Sequence, residues 1–136
     1  MSAERLDPGG WPRPQGYANG VSATGRSVFV AGQVGWNPLT QRIETDDFAA
    51  QVRLALANVV AVLRAGGAEP RHVTRLTWYV TDRNAYLSAR EQIGVAYRDL
   101  FGKHFPAMSV VVVAGLLEEA AKVEIEATAV VPDREE

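Results

Sequence analysis

Four consecutive valines, Val110–Val113, constrain the fold of this chain more than any other part of its sequence. β-Branched residues favour strands, and a strand that is apolar at every position is typical of a sheet with both faces covered. The rest of the chain supplies two amphipathic helices of roughly twenty residues, enough for one face only. Because an uncovered apolar sheet face is an association surface, the sequence predicts a homo-oligomer with its sheets packed together at the centre. A ring of three is one solution, but composition leaves the number of copies open.

The two helices are predicted from apolar residues that recur at steps of three and four. The first helix follows Asp47, whose carboxylate can cap it, and ends at Gly66-Gly67. The second follows Asp82 and ends before Gly102. The expected buried faces are Phe48, Val52, Ala55, Val59, Val62 and Leu63 in the first helix, and Tyr86, Ala89, Ile93, Tyr97 and Leu100 in the second.

Strands are predicted where β-branched and aromatic residues dominate or alternate with polar ones. They are a hairpin of Tyr17–Ala23 with Ser27–Ala31, followed by a loop at Gly32–Thr40, and then Val73–Thr81, Ser109–Ala114 and Lys122–Val131. The order β-β-α-β-α-β-β indicates the α+β class. Residues 1–136 are expected to form one domain. Within it, the proline- and glycine-rich residues 1–16 are predicted to be an irregular arm and residues 132–136 a solvated tail.

Composition excludes several classes of protein. The 136 residues include no cysteine, which excludes a disulfide scaffold, a thiolate metal site and a cysteine nucleophile. Two histidines do not make a histidine-rich metal site. A net charge of −2 gives no electrostatic footprint for nucleic acid or an anionic membrane. The longest strongly apolar run, Val110–Leu117, is far short of the ~20 residues of a membrane span, and the polar N-terminus lacks a signal core. We therefore expect a cytoplasmic protein.

The polar side of the last strand is the first candidate for chemistry. Lys122, Glu124, Glu126 and Thr128 point the same way beside an apolar valine strand. An apolar setting disfavours the charged form of a carboxylate, so such a group can exchange protons with a substrate. The alternative is a solvated edge, or a Lys122–Glu124 ion pair worth less than ~1 kcal/mol.

Two loops are the other candidates. In Ala31–Pro38, glycines let the backbone approach a ligand, but no Gly-Lys-Ser/Thr follows, so the segment is not a phosphate loop; the alternative is a β-bulge and turn. In Lys103–Ser109, Ser109 lacks the Gly-x-Ser-x-Gly surroundings of a serine nucleophile. His104 is a candidate acid or base, and the alternative for it and for His72 is a surface or packing role.

Taken in order, these segments resemble the reactive-intermediate deaminase family, RidA (YjgF). The resemblance extends from Tyr17 to Val131, nearly the whole chain. The segments that carry it are Gly16-Tyr17-Ala18-Asn19-Gly20, Val28–Gly35, Asn37-Pro38-Leu39-Thr40, Gln51–Leu63, Gly66-Gly67-Ala68, Phe105-Pro106-Ala107 and Val123–Ala127.

The resemblance implies a chorismate-mutase-like (YjgF-like) fold, with a mixed β-sheet and two helices on one face. It further implies a homotrimer with a central sheet barrel and ligand clefts between subunits. The implied activity is hydrolysis of small imines or enamines to carbonyl compounds and ammonia, with no metal or organic cofactor. Some members of the family carry an older label, endoribonuclease or translation inhibitor.

The resemblance also assigns roles to residues. Glu124 matches the glutamate that positions the attacking water and is the expected catalytic residue. The expected substrate-binding residues are Tyr17, Gln33, Val34, Gly35, Met108 and Ser109. The chain departs from the family pattern at Ala31, where a serine is common, and at Gly94, at the place of an asparagine.

The main departure is Met108, which stands where family deaminases have the arginine that binds the substrate carboxylate. Each charge-assisted bond of such a pair is worth ~1.5–3 kcal/mol, so its loss weakens binding tens-fold or more. Because a thioether is apolar and flexible, we expect a substrate without the usual carboxylate.

Three functions remain open at this point. The first is a divergent imine or enamine hydrolase, and the second is a non-catalytic member of the family that binds a small molecule. The third is RNA cleavage or translation control, which needs a basic track, whereas the arginines of this chain are scattered among acidic residues.

Overall fold

The computed structural model describes residues 3–134. Its strands are β1 (Ala3–Leu6), β2 (Gly20–Ala23), β3 (Arg26–Val34), β4 (Val73–Val80), β5 (Ala107–Val112) and β6 (Val123–Val131). Its α-helices are α1 (Phe48–Ala65), α2 (Arg83–Ser88) and α3 (Arg90–Phe101), and a 3₁₀ turn, Pro70–His72, precedes β4. The predicted α+β class is confirmed.

Four strands form the main sheet in the order β3-β6-β4-β5. Strand β6 pairs antiparallel with β3 and β4, whereas β4 and β5 are parallel, so the sheet is mixed as expected. The valine strand β5 lies at an edge. Val110, Val111 and Val112 are 38%, 42% and 52% exposed, so a single chain leaves this apolar strand uncovered.

Successive side chains of strand β6 point to opposite faces of the sheet, and the two faces have different surroundings. One set of side chains is buried against the helices: Val123, Ile125, Ala127 and Ala129. The opposite set, Glu124, Glu126 and Thr128, is half-buried on the face that carries no helix, which we call the open face. The predicted division of this strand is confirmed.

Helix α1 begins and ends where its sequence predicts. The Asp47 carboxylate accepts a hydrogen bond from the Ala50 N–H at 2.9 Å, and Gly66 closes the last turn. The predicted buried face is confirmed except for Val62, which is 38% exposed; Leu56 and Val60 are buried as well. With a mean hydropathy of 1.4 over 18 residues, α1 is long and apolar enough to cross a membrane, but half of it is buried inside the protein, which accounts for its composition.

The predicted hairpin of Tyr17–Ala23 with Ser27–Ala31 is wrong. Strand β2 pairs instead with β1, from Ala3 opposite Ala23 to Leu6 opposite Gly20, so the arm predicted at residues 1–16 contains a strand. Strand β3 pairs with β6, which offers nine residues of antiparallel partner against the four of β2. Residues 1–2 of the predicted arm and residues 135–136 of the predicted tail lie outside the described residues.

Two further boundaries differ from prediction. The loop expected from Gly32 begins later, because β3 continues to Val34 through a bulge between Val30 and Gln33. The second predicted helix is divided into α2 and α3 at Ala89, whose backbone has φ −99° and ψ 8°. Neither glycine nor proline marks this break, and the apolar periodicity continues across it, so the sequence pattern does not reveal it.

Candidate functional site

The predicted site residues fall into two groups on opposite sides of the sheet. Met108 lies beside buried Leu76 in the parallel register of β4 and β5, and therefore on the side of the helices. The Ala18 N–H donates to the Pro106 carbonyl at 2.9 Å, which holds Tyr17 beside the start of β5. Glu124 projects from the open face of the sheet, two strands away from β5.

Tyr17 and Met108 line a cleft of about 650 Å³ between α3 and the edge strand β5. Its lining residues are Gln15, Gly16, Tyr17, Trp78, Tyr86, Arg90, Ile93, Gly94, Tyr97, Arg98, Phe105, Met108 and Val110. Five of the thirteen lining residues are aromatic, and ring contacts order four of them: Tyr97 stacks on Phe105 with ring centroids 5.6 Å apart, and Trp78 meets Tyr86 edge-to-face at 6.4 Å. Such a concave apolar surface is suited to a small organic ligand.

Tyr97 is a structural part of this wall. Its hydroxyl donates to the His104 carbonyl, and burial raises its pKa well above the ordinary value. The Tyr86 pKa is also raised by burial, an effect that the nearby Arg90 opposes. Both phenols therefore stay neutral at physiological pH and can serve as hydrogen-bonding groups but not as bases.

The Glu124 carboxylate packs against the backbone of Gly32 in the neighbouring strand β3. A Cβ atom at position 32 would lie 2.1 Å from Glu124 Oε2 and 2.7 Å from its Cδ. The absence of a side chain at Gly32, next to the β3 bulge, therefore provides the space that the carboxylate occupies. Among residues 3–134 the carboxylate makes no hydrogen bond or ion pair, so it is available to a ligand or water.

Two neighbours of Glu124 have partners of their own. The Tyr79 hydroxyl donates to Glu126 Oε1 at 2.8 Å, and this hydrogen bond is the main reason that the Tyr79 pKa is raised. The Lys122 ammonium donates to the Asp46 carbonyl, so the Lys122–Glu124 ion pair considered above is not formed. The side chains of Tyr79, Glu126 and Lys122 are thus engaged with partners other than Glu124.

A buried amide, Gln51, fixes the start of β6 against α1. Its Oε1 accepts from the Lys122 N–H at 2.8 Å, and its Nε2 donates to the carbonyls of Thr45 and Ala120 at 2.9 and 3.1 Å. Gln51 is 0% exposed, so water does not compete for these bonds. Gln51 therefore positions the segment of backbone that leads to Glu124.

Three of the predicted binding residues near Glu124 make contacts within the fold itself. Gln33 Nε2 donates to the Ala31 carbonyl at 3.1 Å. Val34 is buried, and its carbonyl accepts from Asn58 Nδ2 at 3.1 Å. Gly35 packs so closely on α1 that a Cβ there would lie 2.4 Å from the Gln51 carbonyl oxygen.

Ser109 does not share the cleft with Met108. Consecutive strand residues point to opposite faces, and Ser109 lies next to Thr77 on the open face. One chain therefore brings Tyr17 and Met108 together on one side of the sheet, and places Ser109 on the same face as Glu124. It does not bring the two groups together.

Comparison with known proteins decides the family. The family described as Endoribonuclease L-PSP matches residues 12–131. The chain belongs to this family, the RidA/YjgF family. The resemblance noted in the sequence is thereby confirmed.

Relatives in this family are similar over nearly the whole chain. A protein named 2-iminobutanoate/2-iminopropanoate deaminase, from Escherichia coli K12, is 36% identical over 117 residues, which cover 84% of this chain and 86% of the relative. A RutC family protein of Pyrococcus horikoshii is 34% identical over 119 residues, covering 87% and 90%. A crystal structure of the Rid family protein YyfB from Yersinia pestis, described as of unknown function, is 35% identical with a TM-score of 0.82 and covers 96% and 100%.

The histidines of this RidA/YjgF member have packing contacts. His104 Nε2 lies 2.7 Å from the Val73 carbonyl, and His72 Nδ1 accepts from the Glu69 N–H at 2.9 Å. These contacts favour the packing interpretation of both residues. Within residues 3–134, no group of three or more histidine, aspartate and glutamate side chains is placed to hold a metal ion.

The cleft residues that the sequence did not identify as binding residues include Trp78, Tyr86, Arg90 and Arg98. Trp78 belongs to the core and Tyr86 packs against it, so both contribute to the interior as well as to the wall of the cleft. From the sequence, the arginines are interpreted as scattered charge. A signal was present for the arginines, since Arg90, Gly94 and Arg98 follow one another at steps of four, which places them along one side of a helix.

Proposed function

We propose that this RidA/YjgF protein hydrolyses small imines or enamines to carbonyl compounds and ammonia, in clefts between the subunits of a homotrimer. The names of relatives about 36% identical, which describe 2-iminobutanoate/2-iminopropanoate deaminases, support the reaction class. Glu124 and Tyr17 match the family pattern; the first is half-buried and the second is exposed, which leaves both side chains accessible to solvent.

The main support for a site between subunits is that one chain places Glu124 and the cleft on opposite sides of its sheet, so that a single copy cannot bring them together. If a neighbouring copy places its Glu124 at the mouth of the cleft, the two groups form one site. Such a contact joins two different surfaces, and contacts of that kind form a ring when the rotation between neighbouring copies closes on itself. Apolar residues exposed on the open face support the association: Phe29 is 75% and Val111 42% exposed. The number three follows the family resemblance.

Glu124 is the proposed general base. An imine carbon is already electrophilic, so the carboxylate needs to orient a water molecule and accept its proton as the C–O bond forms. The π electrons of the C=N bond move to nitrogen, which takes up the proton that Glu124 received, and a carbinolamine forms. Its hydroxyl proton then passes to the amino group by way of the same carboxylate. The C–N bond breaks with its electron pair on nitrogen, ammonia leaves, and the carbonyl group remains. Positioning and proton transfer by such a group contribute roughly 10²–10⁴-fold in rate.

Met108 determines which chemical group of the substrate can lie beside the C=N bond. Its thioether packs against the core at the place of the carboxylate-binding arginine of family deaminases. The substrate therefore presents a neutral or apolar group there, and lacks the carboxylate that a 2-imino acid carries directly on its imine carbon.

The test is ammonia release from a panel of imines with and without that carboxylate. Glu124→Gln keeps the shape of the side chain and removes its basicity, so we expect turnover to fall at least ~100-fold with unchanged thermal stability. Glu118→Gln, an exposed residue of the segment between β5 and β6, is the matched control and should retain turnover. Unchanged turnover in Glu124→Gln would remove this residue from the mechanism.

A non-catalytic binding protein is the second candidate, favoured by the complete aromatic cleft that one chain forms without Glu124. In that case ligands saturate the protein, as seen by thermal shift, and no product forms. The family description also names an endoribonuclease, but a net charge of −2 gives no electrostatic footprint for RNA.

A further inference from the structure

Two arginines of α3, Arg90 and Arg98, line the same cleft as Met108. Among residues 3–134 neither guanidinium has a hydrogen bond or an ion pair, whereas Arg53, also exposed, pairs with Asp99 at 2.8 Å. The cleft lining contains no aspartate or glutamate within the part of the chain that the structure describes. Two positive charges with no compensating acid therefore face a cavity that can hold a ligand.

The absence of a side chain at Gly94 leaves room for the Arg98 guanidinium. A Cβ at position 94 would lie 3.3 Å from Arg98 Nη1 and 3.8 Å from its Nη2, so the guanidinium rests over the bare backbone of this turn. Helix side chains lean toward the N-terminus, which directs Arg98 back along α3 toward Arg90. The glycine thus helps to set the position of the positive charge in the cleft.

The remaining walls define the body of the ligand. Tyr17, Tyr86 and Phe105 present aromatic surface, and Met108 is apolar and adaptable. Arginine guanidinium groups bind carboxylates through paired hydrogen bonds and also stack on flat apolar groups. A flat or apolar molecule that ends in a carboxylate fits both features of the cleft.

We propose that Arg90 and Arg98 bind a carboxylate of the substrate, so that this protein acts on imines with an aromatic or apolar body and an acidic group remote from the C=N bond. The proposed anion site therefore lies on helix α3, and not at the position of Met108 in strand β5, where family deaminases have their arginine. The inference rests on the proposed function for the reaction, but the binding of the acid can be measured without it.

The direct test is binding of phenylacetate and of its neutral counterpart phenylacetamide, measured by calorimetry at low salt. We expect phenylacetate to bind at least ~10-fold more tightly, since each charge-assisted bond gives about that factor. Arg98→Gln and Arg90→Gln should each remove most of this preference and leave phenylacetamide binding unchanged, and Arg98→Lys should retain part of it because the charge remains but the paired geometry is lost. Arg83→Gln, an exposed arginine outside the cleft, is the control of equal charge.

Equal binding of acid and amide by the wild-type protein, or wild-type preference in both Arg98→Gln and Arg90→Gln, would overturn the inference. Failure of the proposed function gives a different result. If the arginine-dependent preference is present but no imine is hydrolysed, the anion site stands and the reaction does not. If imines are hydrolysed in a Glu124-dependent way with no effect of either arginine variant on acidic substrates, the reaction stands and the anion site does not.

Discussion

Gly32→Ala is the substitution that tests the position of the Glu124 carboxylate most directly. The added Cβ would lie 2.1 Å from Oε2, 2.7 Å from Cδ and 2.9 Å from Cγ of Glu124. Ordinary contacts of this kind begin at 3.4 Å. The methyl group therefore forces the end of a flexible side chain to retreat, while the backbone of both strands can stay in place.

The expected effect is a loss of rate and little loss of stability. A displacement on the order of 1 Å at a reacting group costs roughly 10²-fold in rate, or about 2.7 kcal/mol of transition-state stabilisation. Replacing glycine by alanine in extended backbone restricts the unfolded chain and returns ~0.4–1 kcal/mol, which offsets part of the strain. We expect the free energy of unfolding of Gly32→Ala to stay within about 1 kcal/mol of the wild-type value.

The assay pairs ammonia release with urea unfolding on three variants. Gly35→Ala is the contrast: its Cβ would lie 2.4 Å from the Gln51 carbonyl oxygen, and because backbone cannot rotate away, stability should fall by ~1–3 kcal/mol or more. Gly9→Ala, with nothing within 4 Å, should change neither quantity. Wild-type turnover in a folded Gly32→Ala would refute the reasoning, as would an unfolded Gly32→Ala.

Two further predictions concern the polar groups around the site. Gln51→Ala removes three buried hydrogen bonds and leaves the Lys122 N–H without a partner, so unfolding in urea should show a loss of ~2–4 kcal/mol, while Gln92→Ala on the exposed side of α3 should cost little. The Tyr79 pKa is raised, mainly by its hydrogen bond to Glu126, so its contribution to stability is complete below pH 10 and is lost as pH rises through the folded-state value. Ultraviolet titration of tyrosinate should show that Glu126→Gln brings this transition back toward pH 10, and an unchanged transition would exclude the charged Glu126 carboxylate as its cause.

The sequence predicts well those elements whose apolar pattern reports a single buried face or whose ends are set by a local hydrogen bond. Strict alternation in β6 follows from a sheet with one face on α1, and the capping of α1 by Asp47 is a local hydrogen bond. Both features are set within a few residues of the chain. The periodicity of α1 likewise reports the face that it buries.

The failures have non-local causes. Strand β3 pairs with β6, a hundred residues later, in preference to the nearby β2, and a choice between partners depends on sheet area that local signals do not contain. Whether Met108 or Ser109 faces the helices depends on how β5 aligns with β4. The arginines of the cleft were missed because their role depends on what α3 faces, which their spacing alone does not tell.

The two-sided arrangement of Glu124 and the cleft has a consequence for mixed assemblies. If each complete site takes its glutamate from one copy and its cleft from the next, subunits with different defects can compensate for each other. Glu124→Gln chains supply an intact cleft, and Arg98→Gln chains supply an intact glutamate. Co-assembly of these two proteins, each impaired toward acidic substrates, would then regenerate working sites wherever an intact cleft meets an intact glutamate, which no mixture of preformed, non-exchanging rings can do.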